Sequence, residues 1–132
     1  MIFIDANIFL AHDNVRDVHH SRAVQLWQEL ELEKYIPLVT TDYVFNEVVG
    51  VTFRKFGKER SVQLGKHLLK SIIIFNIDEH LLTEAWKLYS LSELHLNFVD
   101  CTNLTVMKIL DTVVIATFDQ EFAKVEGIQI LK

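Results

Sequence analysis

Four acidic side chains stand where carboxylates are costly. Asp5 closes the apolar run Met1-Ile2-Phe3-Ile4, and Asp119 follows Val113-Val114-Ile115-Ala116 after a short gap. Glu47 and Asp100 lie between them in stretches of helical spacing, among Val44, Phe45, Val48 and Val49 in one case and Phe98, Val99, Cys101 and Leu104 in the other. Carboxylates at the ends of buried strands and on adjoining helices repel one another and lose hydration unless something positive meets them. An oxygen-loving divalent ion such as Mg²⁺ or Mn²⁺ relieves that repulsion. The chemistry implied is metal-assisted work on phosphates. Each acid also has a structural explanation. Asp5 suits a turn after a strand, Asp100 and Asp119 suit the first turn of a helix, and Glu47 suits an exposed helix face.

Residues three, four and seven apart share a helix face, which puts Gly50, Val51 and Arg54 beside Glu47, and Asn103 and Leu104 beside Asp100. A glycine there admits a ligand closely, and Arg54 is placed to reach a phosphate. Asp42, about 140° round an ideal helix from Glu47, is an outlying candidate.

The elements that must position these groups alternate. Residues 1–4, Pro37–Thr40, Ile72–Ile77, Val113–Thr117 and Ile128–Leu131 read as strands, with Ile72–Ile77 the clearest buried one. Helices are expected from Asn7, as cap, to Ala11, over Ser21–Lys34, from the cap Thr41 to Phe56 with Gly57 as stop, and over Lys58–Lys70. Further helices follow from Asp78, over Asn97–Leu110 and over Asp119–Glu126, and Trp27 and Trp86 sit at core spacing. Strands alternating with helices predict an α/β fold, a three-layer α/β/α sandwich around a mostly parallel sheet of four to five strands. Ligands of such sheets sit beyond the carboxyl ends of the strands, where Asp5 and Asp119 fall.

Composition narrows the class. A chain of 132 residues, half of them apolar, with one Pro and four Gly, is expected to form a single domain over 1–132. No apolar run reaches the roughly 20 residues of a membrane span, and no basic segment precedes the first strand, so a cytoplasmic protein is expected. The single cysteine excludes an intrachain disulfide and a thiolate zinc site. The formal charge of −5 argues against nucleic acid, but residues 54–70 hold six basic residues against Glu59 alone, a local +5. Such a strip suits a phosphate backbone; it also suits an ordinary solvated helix. The six histidines show no ligand spacing, and no Gly-rich phosphate loop is present.

Asp5-Ala6-Asn7-Ile8-Phe9-Leu10 after an apolar strand resembles the opening of PIN domains, including VapC-type toxins. The later elements of that pattern are matched in order by Glu47 within Tyr43–Val49, by Phe98-Val99-Asp100, and by Thr117-Phe118-Asp119-Gln120-Glu121-Phe122. One departure is Cys101-Thr102-Asn103-Leu104, where the family has small residues; it adds a polar neighbour, Asn103, to Asp100. The resemblance implies a metal-dependent endoribonuclease that cleaves single-stranded RNA. Asp5, Asp100 and Asp119 would hold Mg²⁺ or Mn²⁺ directly or through water, Glu47 would complete the pocket or a second site, and Asn7 and Thr117 would orient the ligands. It further implies the toxin of a type II toxin–antitoxin pair, a homodimer neutralised by a small antitoxin. A non-toxin RNA-processing nuclease and a non-catalytic Mg²⁺-binding interaction module are the alternatives. A phosphoacceptor signalling domain fits less well, because Thr117 is followed by Asp119 where a Lys would be needed.

Overall fold

The computed structural model describes residues 1–32 and 36–132. The sheet has five strands: β1 (Ile2–Ile4), β2 (Leu38–Thr41), β3 (Ile73–Phe75), β4 (Val114–Ala116) and β5 (Gln129–Leu131). Their order is β3-β2-β1-β4-β5, and every neighbouring pair is parallel. The helices are α1 (Ala6–Asp13), α2 (His20–Leu32), α3 (Asp42–Phe56), α4 (Lys58–Ser71), α5 (Glu79–Leu91) and α6 (Phe98–Ile109), with a short 3-10 helix over Gln120–Lys124.

The central strand explains the layering. Alternate residues of a strand point to opposite faces, and β1 is buried on both. Ile2 and Ile4 join Ile8, Leu26, Trp27, Val44, Val48 and Leu68 in one core, beneath α1 to α4. Phe3 turns the other way and packs with Val39, Leu81, Val106, Met107, Ile115 and Phe122, beneath α5 and α6. Truncating fully buried Phe3 to Ala would cost about 3–5 kcal/mol. The expected α/β/α sandwich is therefore present, with five parallel strands.

Local signals fix most boundaries. Thr41 Oγ1 accepts from the Val44 N–H at 3.2 Å to start α3, and Gly57, at φ 88°, ends it. Asn97 and Asp100 form a reciprocal capping box at the start of α6.

Four expectations need correcting. Asp5, not Asn7, caps α1, because its carboxylate accepts from the Ala6 N–H at 2.7 Å. The segment after Asp119 winds as a 3-10 turn, and Asp119 is its cap. β3 is a half-covered edge strand with Ile73 50% exposed, since it has β2 alone as neighbour. Trp86 is 59% exposed and packs edge-on against Phe98, whereas Trp27 is buried. The expected end of the second helix at Lys34 lies outside the described residues.

Candidate active site

Parallel strands all end on the same side, and the topology collects the acids there. Asp5 follows β1 and Asp119 follows β4, its direct neighbour in the sheet. The ladder continues past both strands, with the Asp5 N–H donating to the Ala116 carbonyl at 3.0 Å. Asp100 arrives at the third residue of α6, and Glu47 from the second turn of α3.

Asp5 is held most tightly. Its Oδ1 accepts from the Ala6 N–H, and its Oδ2 accepts from the Asn7 amide and the Thr117 hydroxyl, each at 2.7 Å. Asn7 also donates to Thr117 Oγ1 at 3.0 Å and accepts from the Phe118 N–H at 3.1 Å. Thr117 Oγ1 accepts in turn from the Asp119 N–H at 3.0 Å. One network of Asp5, Asn7 and Thr117 thus fixes the ends of β1 and β4 relative to each other. Asp100 Oδ2 accepts from the Asn97 N–H at 2.8 Å, and Asp119 Oδ1 from the Glu121 N–H at 2.9 Å. Asp100 Oδ1, Asp119 Oδ2 and both Glu47 oxygens accept no bond from the described residues, which leaves acceptors free on each.

The electrostatics bind the four into one group. Asp5 and Asp100 are buried. Burial pushes the Asp5 carboxyl up to about 6; the Thr117 and Ala6 hydrogen bonds oppose this, and the charges of Asp100 and Glu47 add to it. Burial likewise lifts Asp100 to about 6, against the Asn97 hydrogen bond and with help from Asp119 and Glu47. Among the described residues no lysine, arginine or histidine pairs with any of the four acids. Three of them are partly or fully buried, and Glu47 is exposed at the rim.

The donor set is all oxygen, as Mg²⁺ and Mn²⁺ prefer, and its unpaired charge is what such an ion would neutralise. As they stand, no three His, Cys, Asp or Glu among the described residues close on one point as a finished cage. The hydrogen bonds that hold one oxygen each of Asp100 and Asp119 set where those carboxylates turn. Asn103 supplies a further sign of fit. It is fully buried one turn after Asp100, its Oδ1 lies 3.4 Å from the Thr41 hydroxyl, and its Nδ2 has no partner among the described residues. A buried orphan N–H is expensive, and a bound water would satisfy it.

Arg54 is exposed, without an ion pair among the described residues, and its guanidinium lies against Gly50 on the Glu47 face of α3. Asp42 does not join the pocket: its Oδ1 accepts from the Ile77 N–H at 3.1 Å, tying α3 to the end of β3. The Cys101 thiol is buried and pushed up by burial, which suits packing and not nucleophilic attack. A cleft of about 610 Å³ between α5 and α6, lined by Leu88, Leu91, Leu104 and Lys108, contains none of the four acids. Sequence reasoning did not see that His19 stacks on Phe118 beside the pocket, because the two rings come from opposite ends of the chain.

Known proteins agree with this frame. The PIN domain family model matches residues 2–128, and the chain belongs to that family of nucleases, which generally work with a divalent metal ion. Among solved structures it is similar to VapC20 of Mycobacterium tuberculosis, a toxin that cleaves the sarcin-ricin loop, with 25% identity, a TM-score of 0.82 and 94% of each chain covered. It is also similar in fold to a toxin–antitoxin complex from Klebsiella pneumoniae, at 19% identity, a TM-score of 0.70, and 100% of this chain and 97% of that one covered. FitAcB from Neisseria gonorrhoeae gives 17% identity and a TM-score of 0.72 over the same shares of each chain. No curated protein matches the sequence. Among the described residues no helix is long and apolar enough to cross a membrane.

Proposed function

We propose that this chain is a metal-dependent endoribonuclease acting on single-stranded RNA, and the toxin of a type II toxin–antitoxin pair. One observation carries the enzymatic reading: Asp5 and Asp100 are buried with two further acids near them and no described cation to balance them. Asp5, Asp100 and Asp119 would hold Mg²⁺ or Mn²⁺, with Glu47 adding charge at the rim. When bound, such an ion lowers the pKa of a coordinated water and offsets charge that builds on the phosphate.

The chain's own residues do the positioning. Asn7 and Thr117 hold Asp5 in one orientation, so its carboxylate loses little freedom when a ligand arrives. Asn97 does the same for Asp100. Asn103 lies behind Asp100 with an N–H to donate. Arg54, over Gly50 and without an ion pair among the described residues, meets a substrate phosphate, and the basic residues that follow on α4 extend the attraction along the strand.

The toxin reading takes support from the neighbours, which are toxins or toxin–antitoxin complexes. On that reading the partners are a small antitoxin and a second copy of this chain, in the cytoplasm. The test is cleavage of labelled single-stranded RNA in Mg²⁺ or Mn²⁺, repeated with chelator and with Asp5→Asn. Cleavage should vanish in both controls; cleavage unchanged in both would refute the metal site. A second reading, a non-catalytic metal-binding module, draws on the exposure of Glu47. It predicts metal binding without cleavage of any RNA. For the toxin role, expression should arrest growth, and Asp100→Asn should abolish the arrest.

A further inference from the structure

His19 and Phe118 form a nearly parallel aromatic stack, with ring centroids 4.4 Å apart and planes 12° from each other. Phe118 lies between Thr117 and Asp119, and its N–H donates to the same Asn7 that holds Asp5. Its ring is half-buried and packs against the core beneath α1 and α2. The lower ring is therefore anchored both in the core and in the polar network of the pocket.

The backbone that carries the upper ring is fixed as well. The His19 N–H donates to Asp17 Oδ1 at 2.8 Å, and its carbonyl accepts from the Ala23 N–H at 2.8 Å. The turn before it is closed by the Asp17 N–H on the Asn14 carbonyl at 2.9 Å. Yet His19 is exposed. A ring that rests on Phe118 with one face and is still exposed offers its other face to solvent, stacked on the residue that separates Thr117 from Asp119.

We infer that this face of His19 is a stacking platform for an unpaired RNA base flanking the scissile phosphate; the inference rests on the ribonuclease reading. Base–aromatic stacking tolerates any base, because every base has a π-face. The platform therefore selects for a splayed, single-stranded nucleotide, since bases inside a duplex are not available to it. It also sets the register of the strand. With a base seated on His19, the adjoining phosphate is held next to Asp119 and Asp5. Histidine here acts through its ring alone.

A short single-stranded RNA carrying 2-aminopurine at successive positions tests this. In chelator at low ionic strength the RNA stays intact, and stacking reads as fluorescence quenching. The wild-type protein should quench the probe at one position. His19→Ala should lose that quenching and bind about tenfold more weakly, within the range of one base–aromatic stack. His19→Phe should restore both, and thermal melting shows whether each variant is folded. In Mg²⁺, an abasic nucleotide at that position should slow wild-type cleavage about tenfold and leave the rate of His19→Ala unchanged. If His19→Ala binds and quenches like the wild type, the platform is overturned and the ribonuclease reading stands. If the wild type neither binds nor cuts RNA, both are overturned.

Discussion

Acidic residues occur in two settings in this molecule, and the contrast is instructive. On the surface, Glu29, Glu84 and Glu121 face Arg22, Lys87 and Lys124, and the hydrogen bond from each cation holds the carboxyl below its ordinary value. In the pocket, Asp5 and Asp100 are buried, face other acids, and are pushed up to about 6. Surface acids find cheap partners in water and contribute little. Pocket acids go without a described partner where the lack costs most. A fold optimised for stability alone would not keep such a group together. The difference marks the pocket as a place prepared for something that arrives from outside.

The contrast can be broken most severely at Asp100. Asp100→Asn should lower RNA cleavage by at least roughly 100-fold, as loss of a group that stabilises developing charge does. The same variant should raise the melting temperature of the metal-free protein by roughly 5–10 °C, because it removes a buried like charge while leaving an acceptor for the Asn97 N–H. Calorimetry and rates on one preparation read both. An Asp100→Asn variant less stable than the metal-free wild type would mean that Asp100 is a cap and nothing more.

Acidity sharpens the comparison next. Both pocket carboxyls have raised values in the folded state, against 3.8 as the reference. Near pH 3 they are protonated whether the chain is folded or not, and have no effect. Between about pH 4 and 6 the unfolded chain releases these protons while the folded chain keeps them, so stability falls as pH rises. Above about pH 6 the whole penalty is in place, on the order of 2–3 kcal/mol per carboxyl. Urea titrations of metal-free protein at pH 4.5 and 6.5 should show this loss. Mg²⁺ or Mn²⁺ should reverse it, with a thermal shift that is large above pH 6 and fades toward pH 4 as protons displace the ion.

Asn103→Leu should act in a smaller way. Removing the orphan amide should stabilise the metal-free protein by about 1 kcal/mol and slow cleavage if the amide serves the pocket; equilibrium unfolding and rates measure the two. Lys87→Ala, at a surface pair, should move the melting temperature by less than about 2 °C. A larger loss there would erase the distinction between the two settings.

What could be read from the chain alone follows from the range of each interaction. The order of elements and the caps Thr41 and Asn97 rest on local spacing, and the structure places them as spacing suggests. The family resemblance supplied the expectation that the acids converge. The errors came from contacts that spacing does not encode. Ile72–Ile77 reads as a buried strand until the strand order sets β3 at an edge, with Ile73 half-exposed. Trp86 has core spacing but α5 buries only Leu81 and Ala85. Asp42 meets Ile77, and His19 meets Phe118, across gaps of sequence that carry no local signal.

The pairing of β1 with β4 also has a consequence in time. Asp5 leaves the ribosome 112 residues ahead of Thr117, with Asp119 following. A nascent chain that has not yet released β4 holds Asp5 without its hydroxyl donor and without the neighbouring acid. Contacts of such long sequence separation form late. A chain whose β4 has not yet emerged therefore lacks the assembled group of acids, and the candidate site comes into being only when the last third of the chain has been made and paired with β1.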